Sequence, residues 1–130
     1  MSKTSVGCYR LVDHMCDVLL RQEPDSDIEW PMPNGRALMR LNGTQDWPDL
    51  VGDLLHEAME FALTNANAAY ESYTAECRST SQRMFFCPHA VYTEACVHAG
   101  RFVAAAYAPL HKAWASARRK ARKRAKKKAK

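Results

Sequence analysis

Asp46-Trp47-Pro48-Asp49-Leu50-Val51-Gly52-Asp53-Leu54-Leu55-His56-Glu57-Ala58-Met59-Glu60-Phe61-Ala62 opens the segment around which the chain is organised. Leu50, Val51, Leu54, Leu55, Ala58, Met59, Ala62 and Ala66 recur at spacings of three and four, the period of a helix with one buried face. Asp46 is placed to cap the N-terminus, and Pro48 suits the first turn. Asp49 and Asp53 set negative charge near the positive end of the helix dipole. These signals predict a helix over 46–76, with Asn65 and Asn67 weakening its later turns as points where it ends or bends.

On the N-terminal side, Arg36–Asn42 follows the Asn34-Gly35 turn and reads as a short strand. Residues 22–35 carry Pro24, Pro31, Pro33 and several acids, which is loop chemistry. Residues 8–20 fit both a helix and an extended segment, with a strand preferred over Asp17–Arg21. A hairpin between that strand and Arg36–Asn42 would need a long loop. On the C-terminal side, residues 77–82 read as a polar loop, Met84-Phe85-Phe86 is short and apolar, and Pro88 stops what precedes it. A second helix is expected from His89, with an apolar stripe of Tyr92, Ala95, Cys96, Ala99, Phe102, Val103, Ala106, Leu110 and Trp114, and Pro109 as a kink point.

The 130 residues suit one domain, and 47% of them are hydrophobic. No apolar run approaches the roughly 20 residues of a membrane span, and no signal peptide is expected. Five cysteines, an odd number, read as reduced thiols and point to the cytoplasm. The net charge of +5 hides an asymmetry. Residues 118–130 hold ten Lys or Arg and no acid, so residues 1–117 hold nine bases against 14 acids, a net of −5.

His56 and Glu60 stand one helical turn apart, so both reach one side of the predicted helix. An imidazole nitrogen and a carboxylate oxygen are both ligands for Zn²⁺. Glu57 projects about 100° from His56 and is the neighbour that would serve as general base for a metal-bound water. Counting angles centres the apolar arc near Ala62, with His56 at its edge and Glu60 on the polar side. A solvated face with an incidental i,i+4 pair gives the same string.

With a strand, a turn and Leu54-Leu55 directly before His56-Glu57-Ala58-Met59-Glu60, residues 36–98 resemble the compact zincin-like metallopeptidases, especially small proteins encoded by bacteriophages and prophages. In that family an edge strand runs along the substrate cleft, and an active-site helix of the form Leu-Leu-His-Glu-x-x-His follows. The resemblance implies His56 and Glu60 as metal ligands and Glu57 as base. Glu60 stands where the family has its second histidine, which weakens Lewis acidity at the metal and allows a divalent metal other than zinc. The third ligand is expected downstream, at His89 or, as in the gluzincin arrangement, at Glu94, with His89 preferred because Cys87-Pro88 makes its backbone rigid.

Cys87-Pro88-His89 and Cys96-Val97-His98 repeat a Cys-x-His pattern. On a helix Cys96 and His98 point about 200° apart, so they cannot share an ion, and Cys96 is expected as a buried free cysteine. There is no Gly-rich phosphate loop and no Ser nucleophile elbow. Arg118, Arg119, Lys120, Arg122, Lys123, Arg124, Lys126, Lys127, Lys128 and Lys130 form a like-charge run, expected as a disordered tail with helical potential from its alanines. Such a run binds DNA or RNA in a salt-sensitive, sequence-independent way. No aromatic residue interleaves with it, and it lacks apolar residues for membrane insertion.

The sequence therefore predicts an α+β domain over 1–117, a small sheet of two to four strands against two long helices, followed by a basic tail over 118–130. The first functional expectation is a zincin-like metal-binding protein, a hydrolase of peptide or protein substrates. The second is a non-enzymatic phage accessory protein that binds nucleic acid or a host protein through the tail. Oligomeric state is left open by the sequence.

Overall fold

The computed structural model describes residues 3–30, 34–66, 69–71, 83–85 and 87–130. Strands β1 (Lys3–Leu11), β2 (His14–Arg21), β3 (Asp27–Glu29) and β4 (Ala37–Asn42) form a mixed sheet in the order β1-β2-β4-β3. Helix α1 (Trp47–Asn65) follows, then a small antiparallel pair, β5 (Ala69–Glu71) with β6 (Arg83–Phe85), and helix α2 (His89–Lys128). The expected α+β class is what forms.

Alternation sets the sheet's two faces. Cys16, Val18 and Leu20 of β2 and Ala37, Met39 and Leu41 of β4 are buried towards the helices. The opposite face carries ion pairs: Arg36 lies 3.4 Å from Asp17, and Arg40 sits between Asp27, at 2.6 Å, and Glu29. Leu50, Leu54, Ala58 and Phe61 from α1 and Ala99, Phe102, Ala106 and Leu110 from α2 complete the core. Tyr9 meets the Phe102 ring edge-on at 6.2 Å, joining β1 to α2.

The ambiguous residues 8–20 resolve into two antiparallel strands, Leu11 opposite His14. The turn between them holds Val12 at φ 55, a left-handed conformation that a β-branched residue adopts only with strain. In β1 the register slips between Ser5 and Gly7. Gly7 has φ 152, and a methyl there would overlap the Tyr9 hydroxyl, which donates to the Val6 carbonyl at 3.2 Å. Glycine is needed on both counts.

β4 does not pair with β2 as a hairpin. The two run parallel, from Cys16 opposite Ala37 to Arg21 opposite Asn42. The reversal occurs earlier, because β3 forms inside the segment expected as loop and pairs antiparallel with β4. Gly35, at φ 77, serves the β3–β4 connection. The first helix ends at Asn65, the earlier of the two asparagines that weaken it, and β5 occupies part of the stretch expected as helix. The polar loop expected over 77–82 lies outside the described residues.

Asp46 stands at the N-cap of α1 but makes no side-chain cap bond. Its carboxylate is turned to Arg118 at 2.9 Å. Residues 118–128, expected as a disordered tail, continue α2 as helix. The stripe of Ala113, Ala117, Ala121 and Ala125 runs straight through the junction, and Lys and Arg are good helix formers. Among the described residues no helix is long and apolar enough to cross a membrane.

Candidate metal site on helix α1

The inward positions of α1 run Leu50, Leu54, Glu57, Ala58, Phe61 and Ala62. Glu57 thus occupies a core position between Leu54 and Phe61, and is only 7% exposed. The order of burial expected for the motif is inverted. His56 is the most open, with 69% of its side chain exposed, while Glu60 retains 26%. Leu55, counted on the apolar arc, is 48% exposed, and including it had rotated the arc away from Glu57.

His56 Nε2 and Glu60 Oε2 lie 3.3 Å apart. A ligand atom from each of His56, Glu57 and Glu60 falls within 4.8 Å of the others. Burial, reinforced by the neighbouring charge of Glu60, pushes the Glu57 carboxyl up to about 7. His56 opposes this shift, while Asp27 and Asp53 add to it.

Glu57 and Glu60 face an open cleft of about 490 Å³, whose other wall is Ser26, Asp27, Ile28 and Trp30, with Phe61 and Thr64 completing the helix side. Trp30 stacks on Phe61 at 3.8 Å, and His14 packs against both rings. His14 Nδ1 and Thr64 Oγ1 are buried without a hydrogen-bond partner among the described residues. A polar joint fixes the wall. The Asn42 backbone N–H donates to Ser26 Oγ, whose hydroxyl donates to Asp53 on α1, and Gln45 donates to the same carboxylate. Buried Asn42 also donates to the Pro24 carbonyl at 2.9 Å. This joint holds the start of β3 against the helix. The sequence reading passed over Ser26, Asp27, Trp30 and Asn42. Only the isolated Ile28 and Trp30 in an acidic, proline-rich loop signalled a wall there.

The edge strand beside helix α1 is β3, not Arg36–Asn42, which lies inside the sheet. His89 is exposed at the first residue of α2, where its carbonyl accepts a bond from the Thr93 hydroxyl. Glu94 is exposed, 3.6 Å from His98. Neither joins the cluster, so among the described residues the third donor beside His56 and Glu60 is Glu57 itself. Cys96 is exposed, because the buried stripe of α2 is narrower than expected and runs through Ala95 and Ala99. Among the described residues Cys16 is the buried thiol, pushed up to about 12 by burial.

At the other end of the molecule Arg118 is anchored to the Gln45 carbonyl and Asp46, both at 2.9 Å, and lies over the Trp114 ring. The remaining basic residues, from Arg119 to Lys130, are exposed. Comparison with protein-family models, curated proteins and solved structures finds no match.

Proposed function

We propose that the protein binds a divalent cation through His56 and Glu60, with Glu57 beside it, and acts as a zincin-like hydrolase on an extended peptide. The observation that carries this reading is the convergence of three donors, two of which, Glu57 and Glu60, line a cleft whose opposite wall is an edge strand. The donor set suits the ion. Metal–ligand bonds of roughly 2.0–2.2 Å in a tetrahedron separate their ligand atoms by about 3.3 Å, and His56 and Glu60 stand at 3.3 Å. Positive charge there would relieve the repulsion among Glu57, Glu60, Asp27 and Asp53. Two carboxylates beside one imidazole suit zinc and also manganese.

A bound cation would supply polarisation of a carbonyl and a more acidic water. The rest falls to the chain. Glu57, a buried carboxyl pushed up by its surroundings in the metal-free chain, is the group placed to accept and return a proton beside the ion. The outer edge of β3 offers backbone groups to an extended peptide. Trp30 and Phe61 limit water on that side.

Elemental mass spectrometry of untagged protein purified without chelator, beside the His56→Ala/Glu60→Ala variant, tests the site. Near-stoichiometric metal lost in the variant supports it. Absence of metal in both after incubation with zinc or manganese overturns it. Cleavage of a peptide library by the loaded protein, abolished in Glu57→Gln with metal retained, tests the activity.

A further inference from the structure

The fold assembles an aromatic cluster that the sequence keeps apart. Trp47, at the start of α1, meets Tyr107, His111 and Trp114 of α2 at ring-centroid distances of 5.1, 4.7 and 5.6 Å. Tyr107, His111, Trp114, Arg118 and Arg122 follow at spacings of four, three, four and four, so they share one face of α2. The aromatic cluster therefore runs directly into the basic run without a break. Tyr107 is 44% exposed and His111 is also exposed, so the rings are open to a ligand. Where the two zones meet lies a cleft of about 300 Å³ lined by Asp46, Trp114 and the arginines 118, 119 and 122. Arg118 is fixed over Trp114 at 5.3 Å, which leaves Arg119 and Arg122 as the open guanidinium groups of that cleft.

We propose that this face of α2 binds a single-stranded polynucleotide, bases stacking on the Trp47–Tyr107–His111–Trp114 cluster and phosphates pairing with Arg119 and Arg122. Every base has a π-face, so aromatic rings beside a cationic track suit a single strand without sequence preference. A duplex hides those faces in its own stack. An acidic protein would use the guanidinium groups and leave the rings idle. The opposite basic face of α2, with Lys120 and Arg124, borders Thr4 and Gln22 and carries no aromatic ring. The Lys120 and Arg124 pair there serves as an internal control of equal charge to Arg119 and Arg122.

The test uses the full chain in chelator, so that the α1 cluster plays no part. Anisotropy titrations compare labelled oligo(dT), oligo(rU), a DNA duplex of equal length and inorganic polyphosphate. Tyr107→Ala/His111→Ala should weaken both oligonucleotides by roughly fivefold or more and leave polyphosphate unchanged. Arg119→Ala/Arg122→Ala should weaken them by about tenfold and flatten the salt dependence by roughly 0.7 per lost phosphate contact. Lys120→Ala/Arg124→Ala should cost distinctly less. Tryptophan fluorescence should be quenched by the oligonucleotides and not by polyphosphate. All substituted residues are exposed, and circular dichroism checks that helix content is kept. Preference for one sugar identifies the natural strand and supports the proposal. Equal losses in the two charge pairs, tighter binding to duplex, polyphosphate binding as well as the oligonucleotides, or no binding at all would each overturn it.

Discussion

Replacing Glu57 by Gln removes one charge and almost no volume, so it isolates the cost of holding a carboxylate inside α1. In the folded protein this carboxyl titrates at about 7 against an ordinary 4.5. Below that ordinary value both folded and unfolded chains are protonated, and the group contributes nothing. Between the two values the folded state binds more protons than the unfolded, so stability falls as pH rises through this window. Above about 7 the whole cost is present. At about 1.4 kcal/mol per pH unit the ceiling is about 3 kcal/mol. Glu57 borders an open cleft, and solvent screening reduces the figure to about 2 kcal/mol. Urea denaturation in chelator should therefore find Glu57→Gln more stable than the parent by about 2 kcal/mol at about pH 8.5, and equal to it near pH 4. Equal stability at the higher pH would refute the reasoning, since it would mean that the carboxylate keeps its solvation. Saturating zinc or manganese should narrow the difference, because the cation offsets the charge that burial penalises. Ligand at about a hundred times its Kd stabilises by about 2.7 kcal/mol, a gain that the variant, which keeps His56 and Glu60, largely shares.

Three further outcomes follow from the packing. Gly7→Ala should lower stability by about 1–3 kcal/mol in thermal denaturation, because of its backbone angle and the Tyr9 hydroxyl; adding Tyr9→Phe should recover only the steric part. Arg118→Ala should cost about 1–2 kcal/mol by losing its bonds to Gln45 and Asp46 and its seat on Trp114, and hydrogen exchange should quicken at the start of α1. Alkylation followed by peptide mapping should modify exposed Cys96 in the native protein and reach buried Cys16 only on unfolding, and equal labelling of the two would contradict the packing of the sheet.

Helix α2 was legible at its start, since Pro88 leaves no alternative and the apolar period begins at once. Helix α1 was legible because its repeat, its Pro48 and its asparagines agree. The sheet was harder to read for identifiable reasons. The turn between β1 and β2 carries Val12, which no turn preference selects, so two strands looked like one ambiguous run. β3 is three residues long, and its acids are satisfied by Arg40, a partner that pairing reveals and spacing does not. Strand direction was hidden because β2 and β4 alternate in the same way, which antiparallel and parallel pairing satisfy equally. The His56-Glu57-Glu60 string was visible, but its depth was not. Leu55 and Met59 pulled the apparent arc away from the Leu54–Glu57–Phe61 row. The basic segment looked disordered because charge repulsion was weighed above the alanine stripe that carries α2 onward.

The mixed sheet is two hairpins, β1–β2 and β3–β4, joined along one parallel seam. Each hairpin closes over a short stretch of chain, whereas the seam joins residues some twenty positions apart and must wait for both. Helix α1 follows β4 directly, and the wall opposite it is β3, so both walls of the cleft lie on one side of the seam and are tied together by the Ser26–Asp53 bond. The cleft therefore takes shape within β3, β4 and α1, and closing the seam carries that unit against β1, β2 and α2. Loosening the seam would shift the unit as a whole before it disturbed the cleft itself.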